Sequence, residues 1–225
     1  MISKKETIII SLGGSLVAPN EIDIGFLKNF RHCLQKYAKR FFIFVGGGKI
    51  ARNYQKALLE FDAKNTERDW IGIGVSKLNA ELVRQLFVGY SYNKIITDPT
   101  KKIKTNNDIM VGAGWKPGWS TDYVSVLAAK TYGIKTVINL TNVDYVYDKN
   151  PNIFPDAKPI REINWLDFRK IVGDKWSPGL SMPFDPRASK IAEKLKLKIV
   201  MINGKNLKQL ENFLNNKPFI GTTIN

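Results

Sequence analysis

The stretch Gly112-Ala-Gly-Trp-Lys-Pro-Gly-Trp-Ser-Thr-Asp122 gathers three glycines, a proline, two hydroxyls and a carboxylate just ahead of a helical pattern. Glycine lets a backbone approach a ligand closely, and the first amides of a helix point at whatever lies there, so this turn suits a bound phosphate. The same residues also meet the needs of an ordinary turn and helix N-cap, for which Ser120, Thr121 and Asp122 are all suitable. Two more glycine turns accompany it, Gly13-Gly14-Ser15 and Gly46-Gly47-Gly48, each directly after a short apolar run. As a set, the three are more specific than any one of them.

The chemistry that fits the set is phosphoryl transfer between two bound anions. Such a reaction needs positioning and charge neutralisation more than a strong nucleophile: amides and cations hold the transferring group while a metal bridges phosphate oxygens. Gly13, Gly14, Gly47 and Gly48 can supply amides, and Arg52 and Lys190 fixed positive charge. Plainer roles stand beside these. Arg52 and Lys190 also suit exposed helix faces, while Asp69 and Asp185, the latter followed by Pro186, also suit helix caps. Two standard nucleotide fingerprints are absent: Gly48-Lys49 is followed by Ile50 and preceded at the fifth position by Ile43, and Pro117 stands where the dinucleotide pattern needs its third glycine.

The elements that must position these residues are legible as alternation. Thr7 to Leu12 and Phe41 to Val45 are continuous apolar runs ending in glycines, as expected of buried parallel strands. Apolar residues at helical spacing predict helices over Ile24 to Lys39, Lys49 to Phe61, and a long one through Ile71, Val75, Leu78, Leu82 and Leu86 opened by Asp69. A short strand is expected at Lys94 to Thr97, another at Ile109 to Val111, and a helix at Ser120 to Tyr132. Beyond these come a strand at Thr136 to Leu140, a loop or small hairpin as far as a helix at Trp165 to Val172, and a turn-rich Trp176 to Pro183. The chain closes with a helix opened by Asp185, a strand at Lys198 to Ile202, a helix at Leu207 to Leu214 and a strand at Phe219 to Ile224. Strand, glycine turn, helix, repeated three times, predicts an α/β fold with a mainly parallel sheet and ligands at the carboxyl ends of its strands.

Composition narrows the function classes. The one histidine, His32, and the one cysteine, Cys33, are too few for a zinc site, a Ser-His-Asp triad or a disulfide framework, and they place the chain in a reducing compartment. A formal charge of +15 favours an acidic partner, but the lysines are scattered without a basic run among stacking aromatics, so phosphorylated small molecules fit better than nucleic acid. There is no apolar stretch of membrane-spanning length and no signal-peptide pattern, which predicts a soluble cytoplasmic protein.

At this point the motifs carry a resemblance. Gly13-Gly14-Ser15, Gly46-Gly-Gly-Lys-Ile-Ala-Arg52, Asp69-Trp-Ile-Gly72 with Asn79-Ala80, Pro117-Gly-Trp-Ser-Thr-Asp122, Thr141-Asn-Val-Asp144 through Tyr147 to Pro151, Asp185-Pro-Arg-Ala-Ser-Lys190 and Gly221-Thr-Thr-Ile224 follow one another in the order and spacing of the amino acid kinase fold family. Within it the chain resembles the archaeal-type uridylate kinases over nearly its whole length. The resemblance implies a three-layer α/β/α sandwich and an ATP:UMP phosphotransferase using Mg²⁺, organised as a homohexamer. It implies an acceptor lobe over 1–140 and an ATP lobe over 141–225. On this pattern Gly47, Asp69 and the loop of Pro117, Gly118, Trp119, Ser120, Thr121 and Asp122 bind UMP, with Asp69 on the ribose. Gly13, Gly14, Ser15, Gly48, Arg52, Thr141, Asn142, Tyr147, Asn150 and Pro151 would bind ATP. Lys190 and Arg52 would act on the transferring group, with Asp185 orienting the cations around it.

Three positions depart from the family pattern. Ser11 stands where many members carry a lysine, Tyr145 where glycine is usual, and Asn150 where aspartate is usual. Isopentenyl phosphate kinase shares fold and chemistry, but the histidine typical after its glycine turn has no counterpart among Ala51 to Tyr54. Kinases of amino-acid carboxylates fit the spacing of Arg52 and Asp69 less well, and a binding protein that has kept the fold without the activity is the reading from another class.

Overall fold

The computed structural model describes residues 5–151, 153–175 and 182–225. In chain order the elements are β1 (Thr7–Leu12), α1 (Gly14–Val17), α2 (Ile24–Gln35), β2 (Arg40–Val45), α3 (Gly48–Leu59), α4 (Asn65–Leu86), β3 (Ile109–Gly112), α5 (Thr121–Tyr132) and β4 (Thr136–Thr141). There follow β5 (Val146–Tyr147), β6 (Pro159–Ile160), β7 (Glu162–Ile163), α6 (Trp165–Val172), α7 (Pro186–Lys194), β8 (Lys198–Asn203), α8 (Leu207–Leu214) and β9 (Thr222–Ile224).

Seven strands form one sheet in the order β3-β2-β1-β4-β8-β9-β7, parallel except where β9 runs antiparallel to β8. Because side chains alternate across a strand, Ile8, Ile10, Leu12, Ile43 and Val45 point to one face and Ile9, Phe42 and Phe44 to the other. The first set packs on α2, α4 and α8 through Phe30, Leu34, Val83, Phe87 and Leu210, and the second on α5, α6 and α7 through Val124, Ala128, Phe168, Ala188 and Ala192. Helices on both faces explain why the strands are apolar without interruption.

The topology fixes where a ligand can sit. From β1 the chain steps to β2 and β3 on one side, then crosses to β4 on the other, so the order reverses at β1. Outside the carboxyl ends of β1 and β4 is the switch point at which open α/β sheets form their binding crevice.

Several boundaries differ from expectation. The long helix α4 begins at Asn65, four residues before Asp69, so Asp69 lies within the helix and does not cap it. Its first turn, Asn65-Thr66-Glu67-Arg68, has no apolar residue and gave no periodic signal. Residues 94–97 are not a strand. Ser91 and Ile96 make only isolated bridges to Ile109 and Gly112, since the segment meets β3 at the sheet edge. The last strand spans three residues instead of six, and the short α1 had no signal in the sequence. The expected turn-rich stretch at 176–183 lies largely outside the described residues. No helix among the described residues is long and apolar enough to cross a membrane.

Candidate active site

Three glycine turns meet at the switch point. The Gly13 amide donates to the Leu140 carbonyl at 2.9 Å, which sets the first turn beside Thr141 at the end of β4. A methyl group built on Gly14 would fall 2.3 Å from the Gly46 carbonyl oxygen and 2.4 Å from the Gly48 nitrogen, so the first and second turns touch backbone to backbone. Gly48 has φ +65°, a left-handed conformation that glycine adopts without strain.

The long helix α4 ties the second turn to the third. Ser76 donates to the Val45 carbonyl at 2.6 Å and accepts from the Gly114 amide at 2.8 Å, while Asn79 donates to the Gly46 carbonyl at 2.9 Å. Ser76 was invisible as a functional candidate in the sequence. A small hydroxyl inside a helix has no signature until its partners are known. Gln55 on α3 donates to the Arg68 carbonyl at 3.0 Å and holds the two helices of this wall together.

These contacts enclose a cavity of about 170 Å³ lined by Gly47, Gly48, Arg52, Asp69, Ser76, Gly114, Trp119, Ser120 and Thr121, with Gly72 and Ile73 in its wall. Of the residues expected to bind the acceptor, Gly47, Asp69, Trp119, Ser120 and Thr121 converge here, joined by the expected cation Arg52. Ser120 both lines the cavity and caps α5, accepting from the Tyr123 amide at 3.2 Å. Asp69 Oδ2 accepts from the Gly118 amide at 2.6 Å. Burial pushes the Asp69 carboxyl above its ordinary range, opposed by the Gly118 hydrogen bond and the nearby Arg187 and Arg68.

The turn carrying these hydroxyls is braced by rings. Trp115 meets Trp119 edge-on at 4.7 Å, Trp119 meets Tyr123 at 4.6 Å, and the Lys116 ammonium lies 4.2 and 4.5 Å from the two indole centroids. Aromatic pairs and cation–π contacts of this kind add about 0.5–1.5 kcal/mol each beyond burial.

Other expected residues lie elsewhere. Lys190 is exposed and lines a second cavity of about 400 Å³ with Gly118, Trp119, Tyr123 and Arg187. Trp119 is therefore a wall of both cavities, and Arg52 and Lys190 do not share one. Asp122 is absent from the acceptor cavity's lining. Its Oδ1 accepts from Ser11 Oγ at 2.8 Å and its Oδ2 from the Asp185 amide at 3.3 Å. Ser11 thus gives this carboxylate a hydrogen bond without a charge. Burial first, and the neighbouring Asp185 charge second, raise the Asp122 carboxyl to about 7.

Asp185 caps α7, its Oδ1 accepting from the amides of Arg187 and Ala188 at 2.6 and 2.9 Å, while its Oδ2 is buried and has no hydrogen-bond partner among the described residues. Pro117 sits in the turn between Lys116 and Gly118, outside the lining of either cavity. Thr141 ends β4, Asn142 follows it, and Tyr147 lies in the β5–β6 hairpin with Tyr145 edge-on at 6.4 Å. Asn150 accepts from the amides of Ile153 and Phe154 in the turn containing Pro151. Ser15 opens toward a groove between α2 and α8 that also includes His32, Cys33 and Lys205. Cys33 is buried there, and burial raises its thiol to about 11, far from the thiolate form that reacts.

Known proteins match this chain from end to end. The model of the amino acid kinase family matches residues 6–203. The uridylate kinase of Pyrococcus abyssi is 33% identical over 223 residues, covering 96% of this chain and 98% of its own, and that of Thermoplasma volcanium is 33% identical over 227 residues, covering 97% of each. The crystal structure of uridylate kinase from Archaeoglobus fulgidus superimposes with a TM-score of 0.79 at 29% identity, covering 97% of this chain and 99% of that one.

Proposed function

The chain belongs to the amino acid kinase family, and from that membership we propose that it is a uridylate kinase, transferring the γ-phosphoryl group of ATP to UMP and so feeding pyrimidine nucleotide supply. The observation that carries the reading is the convergence of Gly47, Arg52, Asp69, Ser120 and Thr121 on one cavity at the carboxyl edge of the sheet. A nucleoside monophosphate needs a carboxylate for its ribose and hydroxyls, amides and a cation for its phosphate, and this cavity offers each. Full-length similarity to uridylate kinases supports the same substrate.

On this reading residues 1–140 hold the acceptor and 141–225 the donor. Gly13, Gly14 and Gly48 present backbone to the donor phosphates, and Thr141, Asn142, Tyr147, Asn150 and Pro151 lie along the ATP. Arg52 neutralises charge from the acceptor side and Lys190 from the α7 side. They act on one phosphoryl group only when Trp119, which borders both cavities, no longer separates them.

No three His, Cys, Asp or Glu side chains converge as a metal cage among the described residues. Mg²⁺ needs no such cage, because it keeps several waters and takes one or two carboxylates together with substrate phosphates. When bound, the ion neutralises developing phosphate charge. Asp185, with one oxygen buried and without a hydrogen-bond partner among the described residues, is the residue to orient its surroundings.

The exposed apolar side chains of Ile22, Tyr54 and Leu78 on the α3–α4 face suit a second copy of the chain, as in a homo-oligomer. Light scattering on Leu78→Lys should show smaller particles than the native chain. The activity itself is tested by ADP release with UMP, CMP, dTMP, isopentenyl phosphate and acetylglutamate in ATP and Mg²⁺. UMP should be preferred, and the reading fails if UMP gives no ADP.

A further inference from the structure

Gly118 has both of its backbone polar groups held by side chains from different helices. Its amide donates to Asp69 Oδ2 on α4, and its carbonyl accepts from a guanidinium nitrogen of Arg187 on α7. At φ +85° Gly118 is the point where the acceptor turn reverses, immediately before Trp119, Ser120 and Thr121. The Arg187 end is firmly mounted. The Arg187 backbone amide is held by Asp185 Oδ1 at 2.6 Å, Ser189 Oγ donates to the Asp185 carbonyl at 2.9 Å, and Pro186 opens the helix.

Arg187 is badly placed for helix stability. It sits in the first turn of α7, where no acidic residue accompanies it and where the helix dipole disfavours a cation by about 0.3–1 kcal/mol. Its contact with Gly118 and its attraction to Asp69 offset that cost. Three residues further along the same helix, Lys190 lines the same cavity as Arg187, Gly118 and Trp119.

We infer that Arg187 is a positioning residue for the transfer: by holding the Gly118 carbonyl, it fixes the turn that carries Ser120 and Thr121 at a set distance from Lys190. The inference rests on the uridylate kinase reading of this site. Arg187 is not among the residues lining the acceptor cavity. It acts through the turn, and one rigid capped helix thereby sets both the cation and the hydroxyls. Because the bond joins a charged donor to a carbonyl, its loss corresponds to roughly a ten- to hundredfold effect.

The test is steady-state kinetics of the native chain, Arg187→Met and Arg187→Lys, varying UMP and ATP separately. Arg187→Met should lower kcat/KM for UMP roughly ten- to hundredfold, with both a lower kcat and a higher KM for UMP. Its KM for ATP should stay within about twofold of native, since the Gly118 carbonyl that the guanidinium holds belongs to the acceptor turn. Arg187→Lys, which keeps one donor for the carbonyl, should recover most of the loss and also serves if the methionine variant does not fold. Native UMP kinetics in both variants would overturn the inference, as would equal losses toward UMP and ATP that the lysine variant does not rescue. An inactive native chain would instead sink the proposed function.

Discussion

Gly14 and Gly48 exclude each other's side chains: a methyl on the first would lie 2.4 Å from the nitrogen of the second, and a methyl on the second 2.4 Å from the carbonyl carbon of the first. Neither turn can relax alone, because each is the other's wall. Gly48→Ala also forces a side chain into a positive φ, a strain of about 1–3 kcal/mol. Its thermal midpoint should fall by several degrees, at about 2–4 °C per kcal/mol for a chain of this size. Gly25→Ala, on an exposed turn of α2, should leave the midpoint level or raise it slightly. Equal midpoints for the two variants would show that the turns separate freely.

The carboxyl of Asp122 makes stability depend on pH. Folded, it keeps its proton up to about 7; unfolded, it releases it near 3.8. Between those values the folded chain binds the extra proton, so stability falls as pH rises through the window. Asp122→Asn removes this slope. The midpoint of the variant minus that of the native chain should grow from pH 4 to 7 and level off above, and a constant difference would contradict the assignment. Ser11→Ala removes the donor to the ionised form and should move the upper edge of the window higher.

Lys190 is exposed and stands clear of the acceptor cavity. Charge that helps only in the transition state affects turnover and leaves ground-state binding alone. Lys190→Ala should therefore lower kcat by about 10²–10³ while the Kd for UMP, by calorimetry, changes only a few-fold. An unchanged kcat would make Lys190 a surface residue.

Asp69 has one oxygen on the Gly118 amide, leaving the other for the acceptor. Removing it costs the ribose contact and loosens the turn together. Asp69→Ala should weaken UMP binding at least tenfold, from the loss of about 1.5–3 kcal/mol of charge-assisted hydrogen bonding, with ATP affinity preserved. Native UMP titration would return Asp69 to a purely structural tie.

The parallel strands were legible because both of their faces are buried, and an unbroken apolar run ending in glycine fits little besides a central strand. The start of α4 was not, since the turn Asn65-Thr66-Glu67-Arg68 is polar, its first three residues are exposed, and periodicity sees only the buried stripe. The strand expected at 94–97 failed for the opposite reason: Ile95 and Ile96 pack on the core without joining a ladder. Among site residues, Ser120 and Thr121 carried their own signal, whereas Asp69 read as a helix cap and took its place in the site only from the resemblance. Asp122 sits two residues beyond Ser120, yet its neighbours, Ser11 and Asp185, are 111 and 63 residues distant, and only the fold brings them to it. Arg187 and Ser76 likewise act through backbone atoms that no motif encodes.

Two of the five tryptophans stand on the acceptor turn, their indoles crossed at 84° with an ammonium over both. An indole's emission responds to nearby charge, ring contact and water, so the turn is also an optical reporter. Binding of a colourless nucleotide in the cavity bordered by Trp119 can be followed in the native protein's own fluorescence. The Trp115→Phe and Trp119→Phe chains then separate the signal of the turn from that of the remaining indoles.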